Sequence, residues 1–433
     1  MNTKITIIGL GFVGLPLSLS FAMRGHNVIG LDLNHSLIED LNNGITYHLE
    51  QYQGKPIQEI LKEAIASGKF QATTDYNKAF TESNAYIITV GLPVKEGKPL
   101  YDYFEACMLD LGKGLKKGDT VLIRSTVVPG TTENIAKPIL ERESGLKAGE
   151  DFYLAYASER IAEGKAFDEF ENMPTALAGI NDISFDHAKK ILQKITKAEI
   201  HKANDIKIVE TAKVFENVSR DVSIAMANQF AEFCQALGID TIETFQTANT
   251  HKRVDLLIPG PGVGGYCLPN AFYYLRPKME ELNIALPLLE LSRTINDDIP
   301  ARIVEILANK LEKQGKNLSG STIAVLGLAM KDYSNDDRIS PAHNICELLL
   351  QRGAVVKAYD PAVHSHCEYL VDSLSTAITG ADGLLVLAKQ EEFNNLELST
   401  IKEKMQESPI LIDTKHLWNK ELVKAQGFDY FAI

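Results

Sequence analysis

The chain has 433 residues, 45% of them hydrophobic and 23% charged, which fits two or three globular domains and excludes a disordered polymer. Lys and Arg number 44 against 57 Asp and Glu, and the formal net charge of −13 speaks against general affinity for nucleic acid or an anionic membrane. A small anionic ligand, held by local cations and backbone amides, stays open.

No stretch is apolar and uncharged over the ~20 residues a membrane helix needs. The first residues show no basic region followed by an apolar run and a small-residue cleavage site, so no signal peptide is expected. Cys107, Cys234, Cys267, Cys346 and Cys367 are dispersed, with no CxxC pair. That usage points to reduced thiols and a cytoplasmic location.

In chain order, Ile5–Ile8 reads as a strand, Leu15–Arg24 as a helix, and Val28–Leu31 as a second strand ending at Asp32. Between the first strand and helix lies Gly9-Leu-Gly11-Phe12-Val13-Gly14. Gly9 permits the tight turn, Gly11 lets backbone approach a pyrophosphate, and Gly14 lets helix and strand pack closely. Asp32, a carboxylate at the end of the second strand, accepts bonds from ribose hydroxyls and repels a 2′-phosphate. The cofactor expected is therefore NAD rather than NADP. The competing reading is a glycine turn that binds nothing.

Further strands are expected at 85–90, 120–123 and 152–157. The third of these is followed by Ser158-Glu159-Arg160-Ile161-Ala-Glu-Gly164, and the second by Arg124-Ser-Thr126. Strand ends are where open α/β sheets hold ligands. A carboxylate and a hydroxyl there suit water activation; capping by Thr126 and an ion pair by Glu159 are the plain alternatives.

From Asp205 to Leu237 there is no Gly and no Pro, which predicts one helix close to 50 Å long at 1.5 Å per residue. Asn204 or Asp205 can cap it and Gly238 can end it. Lys213 and Asn217 sit four residues apart on one face, with Arg220 and Asn228 further along. An ammonium and a carboxamide so placed either stabilise an oxyanion or are merely solvated. Next comes Pro259-Gly-Pro-Gly-Val-Gly264-Gly-Tyr-Cys267, a glycine-crowded loop before one cysteine. Its thiol is either a nucleophile in a ligand loop or an inert buried group.

Gly315–Gly320 reads as a linker, after which the α/β texture returns with strands at 323–327 and 355–359 and a helix at 342–352. Asp360 closes the later strand as Asp32 closes the earlier one, but Gly327-Leu-Ala-Met-Lys331 replaces the glycine fingerprint. This second fold is not expected to hold a dinucleotide in the same way. Lys331 and Arg338 are candidate phosphate anchors, or members of a solvated charged loop. His364-Ser-His366-Cys367 has no distant partner pair, so no metal is expected. The chain thus divides into residues 1–203, an NAD-binding Rossmann-like domain; 204–314, a helical dimerisation domain carrying the cysteine loop; and 315–433, a second Rossmann-like domain. The fold class is α/β: two doubly wound domains joined by the long central helix.

The order of these motifs resembles the UDP-glucose/GDP-mannose dehydrogenase family over essentially the whole chain. Glu216-Asn217-Val-Ser-Arg220-Asp221 and Asn249-Thr-His-Lys-Arg253-Val are most similar to its members acting on UDP-N-acetyl-D-mannosamine. The resemblance implies a UDP-sugar substrate and a homodimer or higher oligomer. It implies that Cys267 captures the C6 aldehyde, Lys213 and Asn217 stabilise the oxyanion, and Thr126 and Glu159 assist proton and water chemistry. Arg160, Ile161, Arg220 and Gly264 fall on substrate-facing motifs. Arg253 resembles an arginine reaching the neighbouring subunit's substrate. Lys331 and Arg338 lie near substrate and cofactor respectively. One departure is plain: members commonly carry an aspartate four residues after the cysteine, where this chain has Ala271.

Overall fold

The computed structural model describes residues 4–433 and divides into two compact units. The first unit is the chain up to Glu216 together with Tyr273–Ile284; the second is Asn217–Phe272 together with Ala285–Ile433.

The first unit is built on eight strands: β1 (Ile5–Ile8), β2 (Val28–Leu31), β3 (Phe70–Thr73), β4 (Ala85–Ile88), β5 (Thr120–Ile123), β6 (Tyr153–Ala157), β7 (Thr175–Gly179) and β8 (Ile200–Lys202). Their order across the sheet is β8-β7-β6-β5-β4-β1-β2-β3. Every pairing is parallel except β6 with β7. Strands β1, β2, β4 and β5 are buried along their whole length, as a parallel sheet covered on both faces requires. Their Ile, Leu and Val residues read as continuous apolar runs for that reason. Helix α1 (Gly14–Met23) lies in the same core, buried from Gly14 to Ala22.

Helix α2 (Ile206–Leu237) is one unbroken element of 32 residues, so the expected long helix forms. Asp205 starts it by accepting from the Lys207 amide at 2.6 Å, and Gly238, at φ 72°, ends it. Helix α3 (Cys267–Leu282) follows the glycine loop, and α4 (Pro287–Lys313) follows that.

The second unit carries a five-stranded parallel sheet: β9 (Thr322–Leu326), β10 (Val355–Tyr359), β11 (Gly383–Val386), β12 (Ile410–Asp413) and β13 (Asp429–Ala432), in the order β10-β9-β11-β12-β13. Helix α5 (Pro341–Gln351) is capped by the Ser340 hydroxyl. The chain is therefore α/β with two Rossmann-like sheets, as the motif order implies. The reading of 315–320 as a linker is corrected. Gly315 ends α4 at φ 73°, Gly320 donates to the Gly353 carbonyl at 2.9 Å, and Leu318 is buried in the core of the second unit. A leucine that can be buried there makes the segment a packed turn.

Candidate active site

In the first sheet the direction of travel reverses between β1 and β4, and a cavity of about 550 Å3 opens at that switch point. Ile8, Gly9, Gly11, Asp32, Thr89 and Tyr103 are among its walls. Gly9 has φ 96°, a left-handed conformation that disfavours other residues. A Cβ on Gly14 would lie 1.7 Å from the Gly9 carbonyl oxygen, so the turn closes onto the helix only with glycine there. A Cβ on Gly11 would meet nothing within 4 Å. Gly11 is exposed, and Phe12 and Val13 are half-buried beside it. Val13 precedes α1 without a side-chain cap, so the helix start is left to backbone amides, which favour an anion.

Asp32 organises this turn: its Oδ2 accepts from the Leu10 amide at 2.8 Å and its Oδ1 from the Asn34 amide at 3.0 Å. Thr89, which the sequence did not single out, donates from its hydroxyl to the Gly9 carbonyl at 2.7 Å. Size, open backbone and carboxylate together fit a dinucleotide: Gly9, Gly11, Phe12, Val13 and Gly14 would hold the pyrophosphate and Asp32 the ribose.

Beyond the switch point, β5 runs into Arg124, Ser125 and Thr126, and β6 into Ser158, Glu159, Arg160 and Ile161. Thr126 is half-buried. Glu159 is nearly buried and paired with Arg124, whose side chain is only 3% exposed. The ion pair is therefore an interior one. Arg160 donates to the Pro174 carbonyl at 3.1 Å and pairs with Glu216 of α2. Two of its guanidinium nitrogens thus have partners within the protein, while its Nε is buried without one among the described residues. Lys213 is half-buried on the same helix. A second glutamate of that helix, Glu210, is buried and accepts from the amides of Gly130 and Thr132. Burial raises its pKa.

In the second unit, Asn217 is 9% exposed, and its buried Nδ2 bonds no protein acceptor among the described residues. A buried amide hydrogen without a partner is the kind of group a ligand satisfies. Asn228 Oδ1 accepts from the Gly260 amide at 3.1 Å and so ties the glycine loop to α2. Gly262 has φ 127° and Gly265 φ 79°. A Cβ on Gly264 would come within 2.8 Å of Pro341 and 2.9 Å of Met330, so the loop lies flat on the 330–341 segment. Cys267 emerges from it as the first residue of α3 and is exposed. Ala271, one turn on, is 1% exposed, so a methyl packs in the core where a carboxylate is usual for the motif.

Arg220 and Arg253 are exposed and Lys331 half-buried. Arg338 grips Asp336 of its own turn through Nε at 2.8 Å and Nη2 at 2.6 Å. A second cavity, of about 220 Å3, opens at the C-terminal ends of β9, β11 and β12. Ala329, Met330, Ser340, Lys389, Thr414 and Lys415 line it. Lys389 and Lys415 were not picked out from sequence, being single cations at strand ends without a motif. Asp360 mirrors Asp32, accepting from the Leu328 amide at 2.8 Å. It also accepts from the amides of Ala329, Ala362 and Val363 and from Gln390 Nε2, which leaves no ribose-binding capacity.

The profile "UDP-glucose/GDP-mannose dehydrogenase family, NAD binding domain" matches residues 3–198, the family's central domain 207–298, and its UDP binding domain 324–420. This chain belongs to the UDP-glucose/GDP-mannose dehydrogenase family. It is an NAD-dependent dehydrogenase, and the first cleft lies within the stretch that matches the family's NAD binding domain. A UDP-N-acetyl-D-mannosamine dehydrogenase of Pyrococcus horikoshii is 34% identical over 415 residues, 96% of each chain. A UDP-N-acetyl-D-glucosamine 6-dehydrogenase of Pseudomonas aeruginosa is 32% identical, over 97% of this chain and 98% of that one. The solved structure of a UDP-D-ManNAc dehydrogenase from Pyrococcus horikoshii superposes with a TM-score of 0.91 at 33% identity, covering 100% of this chain and 99% of that one.

Among the described residues, no group of three or more His, Cys, Asp or Glu could hold a metal ion, and no helix is long and apolar enough to cross a membrane.

Proposed function

We propose that the protein oxidises the C6 hydroxyl of a UDP-linked hexose to the carboxylate in two NAD-dependent stages, with UDP-N-acetyl-D-mannosamine as the substrate. The observation that carries this reading is the state of the cysteines. Cys107 and Cys346 are buried, and burial pushes the Cys107 thiol up to about 12 and raises that of Cys346. Cys367 is half-buried and raised by the same cause, and Cys234 is buried. Cys267 is the exposed thiol, at the mouth of a glycine loop and the start of a helix. A nucleophile must be accessible, and of the five thiols Cys267 is the exposed one.

In this reading the Cys267 sulfur adds to the C6 aldehyde, giving a thiohemiacetal, which is oxidised to a thioester that water cleaves. Lys213 and Asn217 supply donors for the oxyanion, and Thr126 takes part in proton transfer. NAD, when bound, accepts the hydride at each oxidation. Lys389 and Lys415, the latter paired with Asp332 of the same wall at 2.9 Å, bring two cations and one carboxylate to the second cavity; its place at the strand ends of a parallel sheet supports a nucleotide there. Lys331, Gly264, Ile161 and Arg220 are assigned to substrate, Arg253 to a neighbouring subunit's substrate, and Arg338 to the cofactor side. We assign residues 1–203 to cofactor binding, 204–314 to the helical core and dimer, and 315–433 to the nucleotide-sugar. A cytoplasmic homodimer is proposed because Met226, Phe230, Phe233 and Leu237 leave an exposed apolar stripe on α2 at helical spacing.

Incubation with NAD and a panel of UDP-hexoses, counting NADH per sugar consumed, tests the reading. Two NADH per sugar are expected, and a stop at one removes the thioester stage. Cys267→Ser should abolish uronate formation. Ala271 favours one rival, a nucleotide-sugar binder without turnover; tight binding of both ligands with no NADH would establish it.

A further inference from the structure

The thiol loop is long and soft, and its order needs a cause. From the end of the helix Thr241–Asn249 to Cys267 the chain runs through residues 250–266 without a helix or strand. Loops beyond ~12–15 residues with no secondary structure of their own are uncommon in compact folds. Gly260, Gly262, Gly264 and Gly265 add to the conformational freedom that folding must remove. Three points fasten the stretch. Asn249 closes its first part, donating from Nδ2 to the Leu256 carbonyl at 3.0 Å and accepting from the Leu256 amide at 2.7 Å. The Gly265 amide holds its last part by donating to the Arg338 carbonyl at 3.2 Å. In the middle, Asn228 Oδ1 accepts from the Gly260 amide at 3.1 Å.

The middle point differs from the other two. Asn249 is exposed, and the Arg338 contact uses backbone alone. Asn228 is 3% exposed and belongs to α2. Its Nδ2 is buried and bonds no acceptor among the described residues, so the side-chain oxygen is what the loop uses. Ile224, one turn earlier, lines the second cavity together with Pro259, Gly260, Pro261 and Gly262, so the loop lies along this face of the helix. Asn217 shares the face, because residues 217 and 228 are separated by roughly three full turns and about 16 Å of helix. One rigid span of α2 therefore carries the amide proposed for the oxyanion and the anchor of the loop that ends in Cys267.

We propose that Asn228 is a positioning residue of this enzyme: its side-chain oxygen fixes the glycine loop, and through the loop the Cys267 sulfur, in register with Asn217. The role in turnover rests on the dehydrogenase reading above; the fastening of the loop does not. Three full-length proteins test it: wild type, Asn228→Leu, which keeps the bulk and loses the acceptor, and Asn228→Asp, which keeps an acceptor oxygen but buries a carboxyl group. Hydrogen exchange on the peptide spanning 257–264 should be at least about tenfold faster in Asn228→Leu and within about threefold of wild type in Asn228→Asp. Peptides from the interior of α2 should stay protected in all three. A buried carboxyl group costs stability, so a loop loosened merely by lost stability would open in Asn228→Asp as well. Unchanged exchange in Asn228→Leu, or equally fast exchange in both variants, overturns the proposal.

In the kinetic arm the same proteins are assayed with NAD and UDP-N-acetyl-D-mannosamine. Expected are a loss of about tenfold or more in kcat for Asn228→Leu and a kcat within about threefold of wild type for Asn228→Asp. KM for NAD should stay within about twofold throughout, because the cavity assigned to it is built on the first sheet. Wild-type kcat in Asn228→Leu, or an Asn228→Asp as slow as it, overturns the positioning role. A wild type that oxidises no UDP-hexose sinks the function proposed above, and exchange alone then decides whether Asn228 holds the loop. Should Asn228→Leu not fold, Asn228→Ala makes the same comparisons, alanine being the best helix former.

Discussion

Substitution of an open and a crowded glycine of the turn, Gly11→Ala and Gly14→Ala, separates folding from cofactor binding. The Gly14 methyl would sit 1.7 Å from the Gly9 carbonyl oxygen and 2.8 Å from Thr89 Oγ1, whereas carbon and oxygen need more than 3 Å. Relief requires the Gly9 turn to move by over an ångström, against the buried strand β1 and the Thr89 bond. Overpacking of this kind costs about 1–3 kcal/mol. Thermal melts of the cofactor-free protein should therefore fall for Gly14→Ala. At roughly 2–4 °C per kcal/mol, the drop for a unit of this size is several degrees. The Gly11 methyl meets nothing, so Gly11→Ala should melt like wild type. Both should bind NAD at least tenfold more weakly, Gly14→Ala because the turn is displaced and Gly11→Ala because its methyl occupies space the pyrophosphate needs. The assay is NAD titration by intrinsic fluorescence beside calorimetric melts. A Gly14→Ala protein that melts like wild type and binds NAD within twofold would refute the reasoning, as would a Gly11→Ala protein destabilised without loss of NAD.

Asp360→Ala should destabilise by about 3 kcal/mol or more, because it leaves several buried amides unsatisfied, yet leave the NAD Kd of the first fold unchanged; a fluorescence titration checks the second half. Burial lifts Asp221 from 3.8 to about 6 despite the facing Arg293, which pairs with it, and Asn296, which donates to it. The folded state then binds more protons at this group than the unfolded one between those values, so the Asp221 contribution to stability is fully present below about 4 and is lost as pH rises to about 6. Denaturant titrations of wild type and Asp221→Asn should show a steeper slope in wild type, the difference being the Asp221 contribution. Iodoacetamide applied to the native protein should label Cys267 well before the other four thiols, read by peptide mass; comparable labelling of Cys107 or Cys346 would contradict the exposure described here. Ala271→Asp should lower stability by at least 1–3 kcal/mol, since the site is 1% exposed and a carboxylate there lacks a built-in partner.

What the sequence disclosed, and what it hid, follows from the range of the forces. Strands at 5–8, 28–31 and 120–123 and the 32-residue helix are legible because their signals are local: apolar runs between turns, and a span with neither Gly nor Pro. The turn at 315–320 misleads because Gly and Lys there look solvated, and nothing local says that Leu318 finds a core. Thr89 and Lys415 are invisible for a related reason, as each acts only where a distant strand end brings it. Arg124 stood inside a recognised motif but acquires meaning only from Glu159, 35 residues away.

The twin carboxylates show how far a repeat can be trusted. Asp32 and Asp360 end corresponding strands, and each holds the first amide after a glycine with positive φ, Gly9 at 96° and Gly327 at 86°. That much is a property of the fold, and sequence conveys it. Their fates then diverge through neighbours. Asp32 takes two amides at the rim of a 550 Å3 cavity and keeps acceptor capacity for a ribose. Asp360 is 5% exposed and is consumed by four amides and Gln390. The second fold, whose turn keeps only Gly327 and is sealed by that carboxylate, opens its cavity one step along the sheet, where Lys389 and Lys415 stand. In the proposed reading a phosphate ligand enters there without a dinucleotide fingerprint, so the loss of Gly11 and Gly14 counterparts marks a change of ligand and not a loss of site.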